Sequence, residues 1–470
     1  MVSALLAASA MLAPNTTELT VYNQGLGFIK EVRNVKLKKG LQNVTVEDVA
    51  QLIDASSVAL KCLNNPGSVS VLEQNYQYDL ISPMAILNKS VGKKVRFTRA
   101  MGNTKESIEG ILISSPTAVT NSGDGASYTY NGLVIKANDG RIILSPIGEI
   151  DVLELPDGLI SKPSLLWMLE SDKDQDANME LSYLTNGFSW NANYVFTIDE
   201  KGFGDMQGWV SMTNNSGLSF ENAKLKLLAG DVNIVRPRTP GGFGGRGAPE
   251  AMMKADTGMA EESLFEYHLY TLGRPATVKN KETKQLNLLE GLAVPFKKQI
   301  IFDSMAGYEN YYPNEGNIGV GSLSPMVKIK FVNDEKSHLG MPMPAGKVRL
   351  YSRDASGSVQ FVGEDQINHT PRDEKISLTV GRSFDVRADR KRTEFKRLSQ
   401  TSVRESFEIE VRNRKKTDET VYLYERHWGD WKVTEKSENF VKEDANTMVF
   451  ELKLKAGEER KVAYTVDTKW

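Results

Sequence analysis

The sequence predicts a mainly β, multi-domain chain made of an N-terminal β domain, an SH3-like small barrel and then β-sandwich domains. Three observations carry this reading. Apolar and polar residues tend to alternate with period two, the mark of strands with one packed and one wet face. Short β-rich runs follow one another closely, with tight-turn pairs such as Asp139-Gly140 between them. The 470 residues also exceed the roughly 250 to 300 at which a single core stops growing, so several domains are expected.

Residues 1–13 are small or apolar and uncharged, and the chain turns polar at Pro14-Asn15-Thr16-Thr17. This resembles an export signal's apolar stretch, cut after Ala8-Ser9-Ala10 or at Ala13, although the usual positive leader is missing. No other apolar run approaches the ~20 residues that span a bilayer, so a transmembrane span is not expected. Residues 14–90 read as a small β domain: 19–37 alternates, Gly40 ends a strand, 41–46 starts another, and 49–57 reads as a short helix or turn.

Residues 91–156 read as an SH3-like or Sm-like barrel, with runs at 91–99, 108–113, 128–136, 141–144 and 150–155. Closure of such a barrel hides its sheet edges. Asp139-Gly140 marks a tight hairpin, Asn131-Gly132 a bulge or a break, and 114–127 a long loop. Residues 157–325 read as a β-rich domain. Within it, 163–170, apolar around Trp167 with Pro163 in the first turn, predicts a short helix. Strands are expected at 179–184, 193–198, 206–212, 224–228, 264–272, 277–288 and 293–303. The Gly-rich insertion 236–263 can bury little, and disorder is its expectation.

Residues 326–470 read as a C-terminal β-sandwich. Phe450, Leu452 and Leu454 alternate with Glu451, Lys453 and Lys455, Gly457 turns the chain, and Val462, Tyr464 and Val466 return, which predicts a hairpin.

Lys and Arg number 58 against 60 Asp and Glu, so the net charge of −2 gives no overall field for nucleic acid. The lone Cys62, between Leu60 and Leu63, cannot form an internal disulfide and reads as core. Gly242 to Gly247 matches G-x-G-x-x-G formally, but it lacks the strand before and helix after that would hold a pyrophosphate. His268, His338, His369 and His427 are scattered without a H-x-x-x-H pair, so neither metal nor cofactor is expected. His268 and Glu266 fall on one face if 264–272 is a single strand. No nucleophile elbow appears, and no catalytic residue is assigned.

Two surface features remain. Arg387, Arg390, Lys391, Arg392, Lys396 and Arg397 form a basic run, either an anion patch or a charged edge guarded against aggregation. Tyr308, Tyr311, Tyr312, Trp428 and Trp431 are candidates for a ligand-binding surface, or anchors of the sandwich and its loops.

Residues 19–33 (LTVYNQGLGFIKEVR) and 53–58 (IDASSV) resemble the amino-terminal domain of the mucoidy-inhibitor-like proteins. Residues 181–194 (LSYLTNGFSWNANY) resemble that family's carboxy-terminal domain, a domain of unknown function. Supporting matches are 208–216 (GWVSMTNNS), 220–223 (FENA), 343–351 (MPAGKVRLY), 363–367 (GEDQI), 381–385 (GRSFD) and 409–413 (IEVRN). The resemblance covers most of the chain outside the barrel and the Gly-rich insertion. It implies β-sandwiches and supplies no catalytic residues. Many members carry a long coiled coil where this chain has the expected barrel.

The leading expectation is a non-enzymatic, exported, periplasmic or extracellular protein of a bacterial envelope that binds a protein or a surface polymer. A metal-independent hydrolase of glycans or peptides is the alternative, and a structural or assembly subunit, with an oligomer, is a third.

Overall fold

The alternation of the sequence becomes an alternation of burial. Leu26–Leu37 turns every second side chain into the core over twelve residues, and Ser402–Asn413 does the same. The structure, a computed structural model, describes residues 8–10, 13–101, 104–114, 117–122, 125–130, 132–144, 146, 148–154, 156–157, 159–230, 232–233, 259–306, 316 and 319–470.

One sheet runs in the order Met259–Leu264, Tyr267–Leu272, Phe220–Ala229, Thr16–Tyr22, Leu26–Leu37, Gln175–Asn186 and Ala59–Cys62, with Ala276–Val278 paired beside it. Residues 14–90 therefore do not form a sheet of their own. Thr16–Tyr22 pairs in parallel with Phe220–Ala229, placing Leu19 beside Leu225. Alternation tells which face a strand buries and not which strand lies next to it.

The helix expected at 163–170 is instead the strand Ser164–Ser171, paired along its length with Gly40–Glu47 on one side and Val69–Gln77 on the other. A short apolar run has no readable period, and two flanking strands satisfy its backbone as fully as a helix would. Trp167, Leu165 and Leu169 join Val44, Val46, Leu37 and Met179 in the largest core. A helix the sequence reading missed lies at Pro83–Lys89. Ser82 caps it by accepting from the Ala85 N–H, and Pro83 fills the first turn.

The small barrel is present, with its own core of Val95, Phe97, Leu112, Leu133 and Ile135. Its sheet order is Ile142–Leu144, Val134–Ala137, Thr104–Leu112, Lys94–Met101 and Glu149–Val152, so the strand last in sequence pairs with Lys94–Met101, the first in sequence. Gly140 turns the tight hairpin at φ +88°. The run at 128–136 is broken at Gly132; its first residues belong to Gly125–Tyr130, which pairs with Thr117–Ser122 where a loop was expected over 114–127.

The Gly-rich insertion falls at 236–258 outside the described residues, but 259–263 belong to the strand Met259–Leu264, anchored by the buried Met259. The strand expected at 264–272 is interrupted: Phe265 and Glu266 form a turn, with Phe265 at φ +59°.

A five-stranded sheet orders Glu282–Pro295, Phe203–Asn214, Phe188–Ile198, Gly346–Arg353 and Val359–Ile367. The carboxy-terminal sandwich pairs two further sheets. One orders Lys375–Arg382, Met326–Val332, Lys297–Asp303, Glu419–Arg426, Thr447–Leu454 and Val441–Lys442; the other orders Gly321–Leu323, Val386–Ser399, Ser402–Asn413, Glu459–Lys469 and Asp430–Lys436. Lys297–Asp303 comes from the stretch before residue 326, so strands are exchanged across that boundary too. The expected final hairpin is not one. Thr447–Leu454 pairs with Glu419–Arg426 and Glu459–Lys469 with Ser402–Asn413, so the turn at Gly457 carries the chain from one sheet to the other. Phe450, Leu452, Val462 and Val466 then face one core from opposite sides.

Candidate functional site

Charged groups gather inside the carboxy-terminal sandwich. Arg390 of Val386–Ser399, Glu425 of Glu419–Arg426 and Tyr464 of Glu459–Lys469 point inward in phase with buried aliphatic neighbours such as Ala388, Leu423 and Val462. A charge in the buried phase of a strand was the available sequence signal, since residues two apart share a face. The Arg390 Nε donates to both Glu425 oxygens at 2.9 and 3.2 Å, and the Tyr464 hydroxyl donates to Glu425 Oε2 at 2.5 Å. The guanidinium lies 3.9 Å from the centre of the Phe407 ring. Two residues along the same strand, Arg392 reaches the buried Glu405 of the neighbouring Ser402–Asn413 at 3.0 Å.

Burial alone would push the Arg390 guanidinium down, but the charge of Glu425 and the Tyr464 hydroxyl more than offset it and the net shift is upward. The Tyr464 hydroxyl is pushed well up, first by burial and then by Glu425. Burial also raises the Glu405 carboxyl, with Arg392 pulling the other way. His427 is driven down to about 3, first by burial and then by the charge of Arg390. The imidazole is thus neutral at physiological pH, and its buried Nε2 has no hydrogen-bond partner among the described residues.

Beside His427, Arg390, Arg392 and Glu405 lies a cavity of about 10 Å³, room for a single water and not for a substrate. These groups have the shifted titration of an active site without its access, and their chemistry is that of a sealed scaffold.

The strand separates the residues of the basic run. Arg390 and Arg392 are interior ion-pair partners, whereas Arg387, Lys391, Lys396 and Arg397 are exposed. The six therefore do not make one anion patch, because the pleat sends alternate residues to opposite faces. Trp431 is not an open platform: its ring lies 5.5 Å from that of His427, Lys442 Nζ stands 4.4 Å from its centre, and its Nε1 donates to the Ala445 carbonyl. Trp428 is half-buried. Tyr308, Tyr311 and Tyr312 lie outside the described residues.

His268 does not work with Glu266, which sits in the turn; its Nδ1 meets Glu261 at 2.7 Å instead. His338 bonds the Leu292 carbonyl and His369 accepts from the Ala345 N–H. Among the described residues no three His, Cys, Asp or Glu side chains come together as metal ligands. Cys62 is buried against Asn64.

An exposed feature lies on the barrel. Ile111, Ile113, Ile142 and Leu144 stand on its outer face, each between 38% and 70% exposed. Lys136 pairs with both Ile111 and Ile142, Val134 pairs with Leu144, and the Ile113 N–H donates to the Val134 carbonyl, so the four surround one strand. The sequence marks this face through Ile111-Leu112-Ile113 and Ile142-Ile143-Leu144, which are apolar in both phases where a half-exposed strand would alternate. No family model matches the chain, and no curated protein matches it.

Proposed function

We propose that the protein is a non-enzymatic, exported interaction protein of a bacterial envelope, and that the outer face of its barrel is where a partner docks. The observation behind this reading is the grouping of Ile111, Ile113, Ile142 and Leu144 in water along the two strands that flank Val134–Ala137. Grouped aliphatic side chains on a surface are the mark of an interaction site, and covering each contributes about 1.5–3 kcal/mol at full burial. An apolar face favours a protein over a polar polymer. The resemblance to the mucoidy-inhibitor-like family and the export-signal pattern of residues 1–13 belong to the same proposal.

Photo-crosslinking tests it. A benzophenone at position 144 should join the protein to a distinct envelope component, while the same group at the exposed Lys453 on the far sandwich should not. Equal adducts at both positions, or none at 144, would overturn the reading. An adduct with a second copy of the chain, supported by light scattering, would favour the assembly subunit instead.

A further inference from the structure

Three strands of the carboxy-terminal sandwich end in one row: Ile301 pairs with Met326, and Met326 pairs with Arg382. Beside this row Leu323 pairs with Ala388 of the opposite sheet. The two sheets leave a cleft of about 160 Å³ at this end, with Ile301, Leu323, Pro325 and Met326 as its apolar part and Ser304 and Arg382 as polar walls.

Two independent features point to a ligand. Ser304, which lines the cleft, is 8% exposed, and its buried Oγ has no hydrogen-bond partner among the described residues, a loss that a buried hydroxyl does not normally carry. Arg382 and Arg387 both lean on Ser324, the first donating to its carbonyl at 3.0 Å and the second to its Oγ at 2.6 Å. Among the described residues neither arginine has a carboxylate within salt-bridge distance. The acid of the cleft, Asp303, is already neutralised by Arg426 at 2.8 Å and also accepts from the Met305 N–H. Among the described residues the mouth thus carries two guanidinium groups, Arg382 and Arg387, against the one further carboxylate of Asp385 in the turn between them. The turn between the two arginines is tied to the rim by the Ser383 N–H on the Pro325 carbonyl and presents Phe384, 83% exposed.

We propose that this cleft binds a carboxylate carried on a small apolar body. The guanidinium of Arg382 matches a carboxylate through paired N–H donors, the Ser304 hydroxyl supplies the donor that now lacks an acceptor, and the apolar part takes the hydrocarbon. A bare inorganic anion would leave that part uncovered. The inference stands apart from the barrel face and does not depend on it.

Calorimetric titration of the whole protein tests it, with hexanoate and a leucine-terminated tripeptide as two sources of the carboxylate. Acetate, hexanol, inorganic phosphate and the tripeptide amide are the comparisons. Saturable binding of either acid is expected, with the tighter of the two naming the source. R382M should weaken it about tenfold or more, as loss of a charged hydrogen bond does, and S304A should weaken it less. Both variants should keep the wild-type circular dichroism. Binding of neither acid, equal binding of hexanol or of the amide, tighter binding of phosphate, or acid binding untouched by R382M would overturn the proposal. Charge-bearing substitutions at Ile142 and Leu144 should leave it unchanged, which separates its failure from that of the barrel interface.

Discussion

Arg390 and Glu425 meet in an ion pair that water does not reach, with Nη2 2.8 Å from Oε2 and 3% and 0% of the two side chains exposed. The two residues come from opposite sheets of the carboxy-terminal sandwich, so the pair bridges them at a point where Val386, Leu423 and Val466 would otherwise form an unbroken hydrocarbon core. The desolvation of both ions is offset only because Tyr464 and the Phe407 ring complete the site.

Removing one partner should therefore cost far more than removing both. Glu425→Leu strands a buried guanidinium and should lower stability by about 3–5 kcal/mol in urea unfolding. The double variant R390M/E425L should recover most of that loss, since a matched hydrocarbon pair replaces a buried ion pair at little cost. A double variant as unstable as the single one would show that the pair adds more than geometry.

His427 should make the protein sensitive to acid. Its folded value of about 3 lies below the ordinary 6.5, so the unfolded chain binds the proton first as the pH falls. Stability contributed by the neutral ring is complete above about 6.5 and is lost down to about 3, at no more than about 1.4 kcal/mol per pH unit. Glu405 runs the other way, because burial raises its carboxyl and the folded protein holds that proton more readily. The difference between wild type and His427→Phe isolates the histidine, whose charged neighbours Arg390 and Glu425 are common to both. The acid-induced loss of stability between pH 6.5 and 4 should be smaller in the variant. Parallel stability curves would sink this account.

The faces of strands were legible in the sequence and their neighbours were not. Leu225 and Leu227 are buried as their alternation predicts, and so are Phe450, Leu452 and Val462. Yet Val462 sits in a different sheet from Phe450 and Leu452, because a pattern of period two is the same for a hairpin and for a chain that crosses a sandwich. The partners within the ionic cluster were equally hidden, with Arg390 and Tyr464 74 residues apart on strands that only the fold brings together. The barrel's outer face lies within 34 residues of sequence, Ile111 to Leu144, and could have been read from its two doubly apolar runs.

Trp167 tests the strand that composition disguised as a helix. Its side chain is fully buried, and its Nε1 donates to Gln74 Oε1 at 2.9 Å in the neighbouring strand. Trp167→Ala should cost about 3–5 kcal/mol through the cavity it leaves. Gln74→Ala, which removes that acceptor and the Nε2 donor to the Ala55 carbonyl, should cost about 1–3 kcal/mol. Thermal unfolding of both variants checks the order, and a Gln74 variant worse than the Trp167 variant would contradict the packing.

Gly363 marks where two sheets touch edge to edge. A Cβ there would come 2.1 Å from the carbonyl oxygen of Val380, on the edge strand of the other sheet, and backbone atoms have no rotamer with which to give way. The same edge is fastened by the Thr379 N–H donating to Asp365 Oδ2 at 2.6 Å. Gly363→Ala should therefore force the strands apart and cost about 1–3 kcal/mol, as overpacking does. Gly381 lies one residue from Val380 and is the control, because a Cβ there meets nothing within 4 Å and its φ needs no glycine. Gly381→Ala should stay within about 0.5 kcal/mol of wild type. Hydrogen exchange should localise the damage of Gly363→Ala to Val359–Ile367 and Lys375–Arg382, and uniform protection across those strands would show that the edges do not depend on this contact.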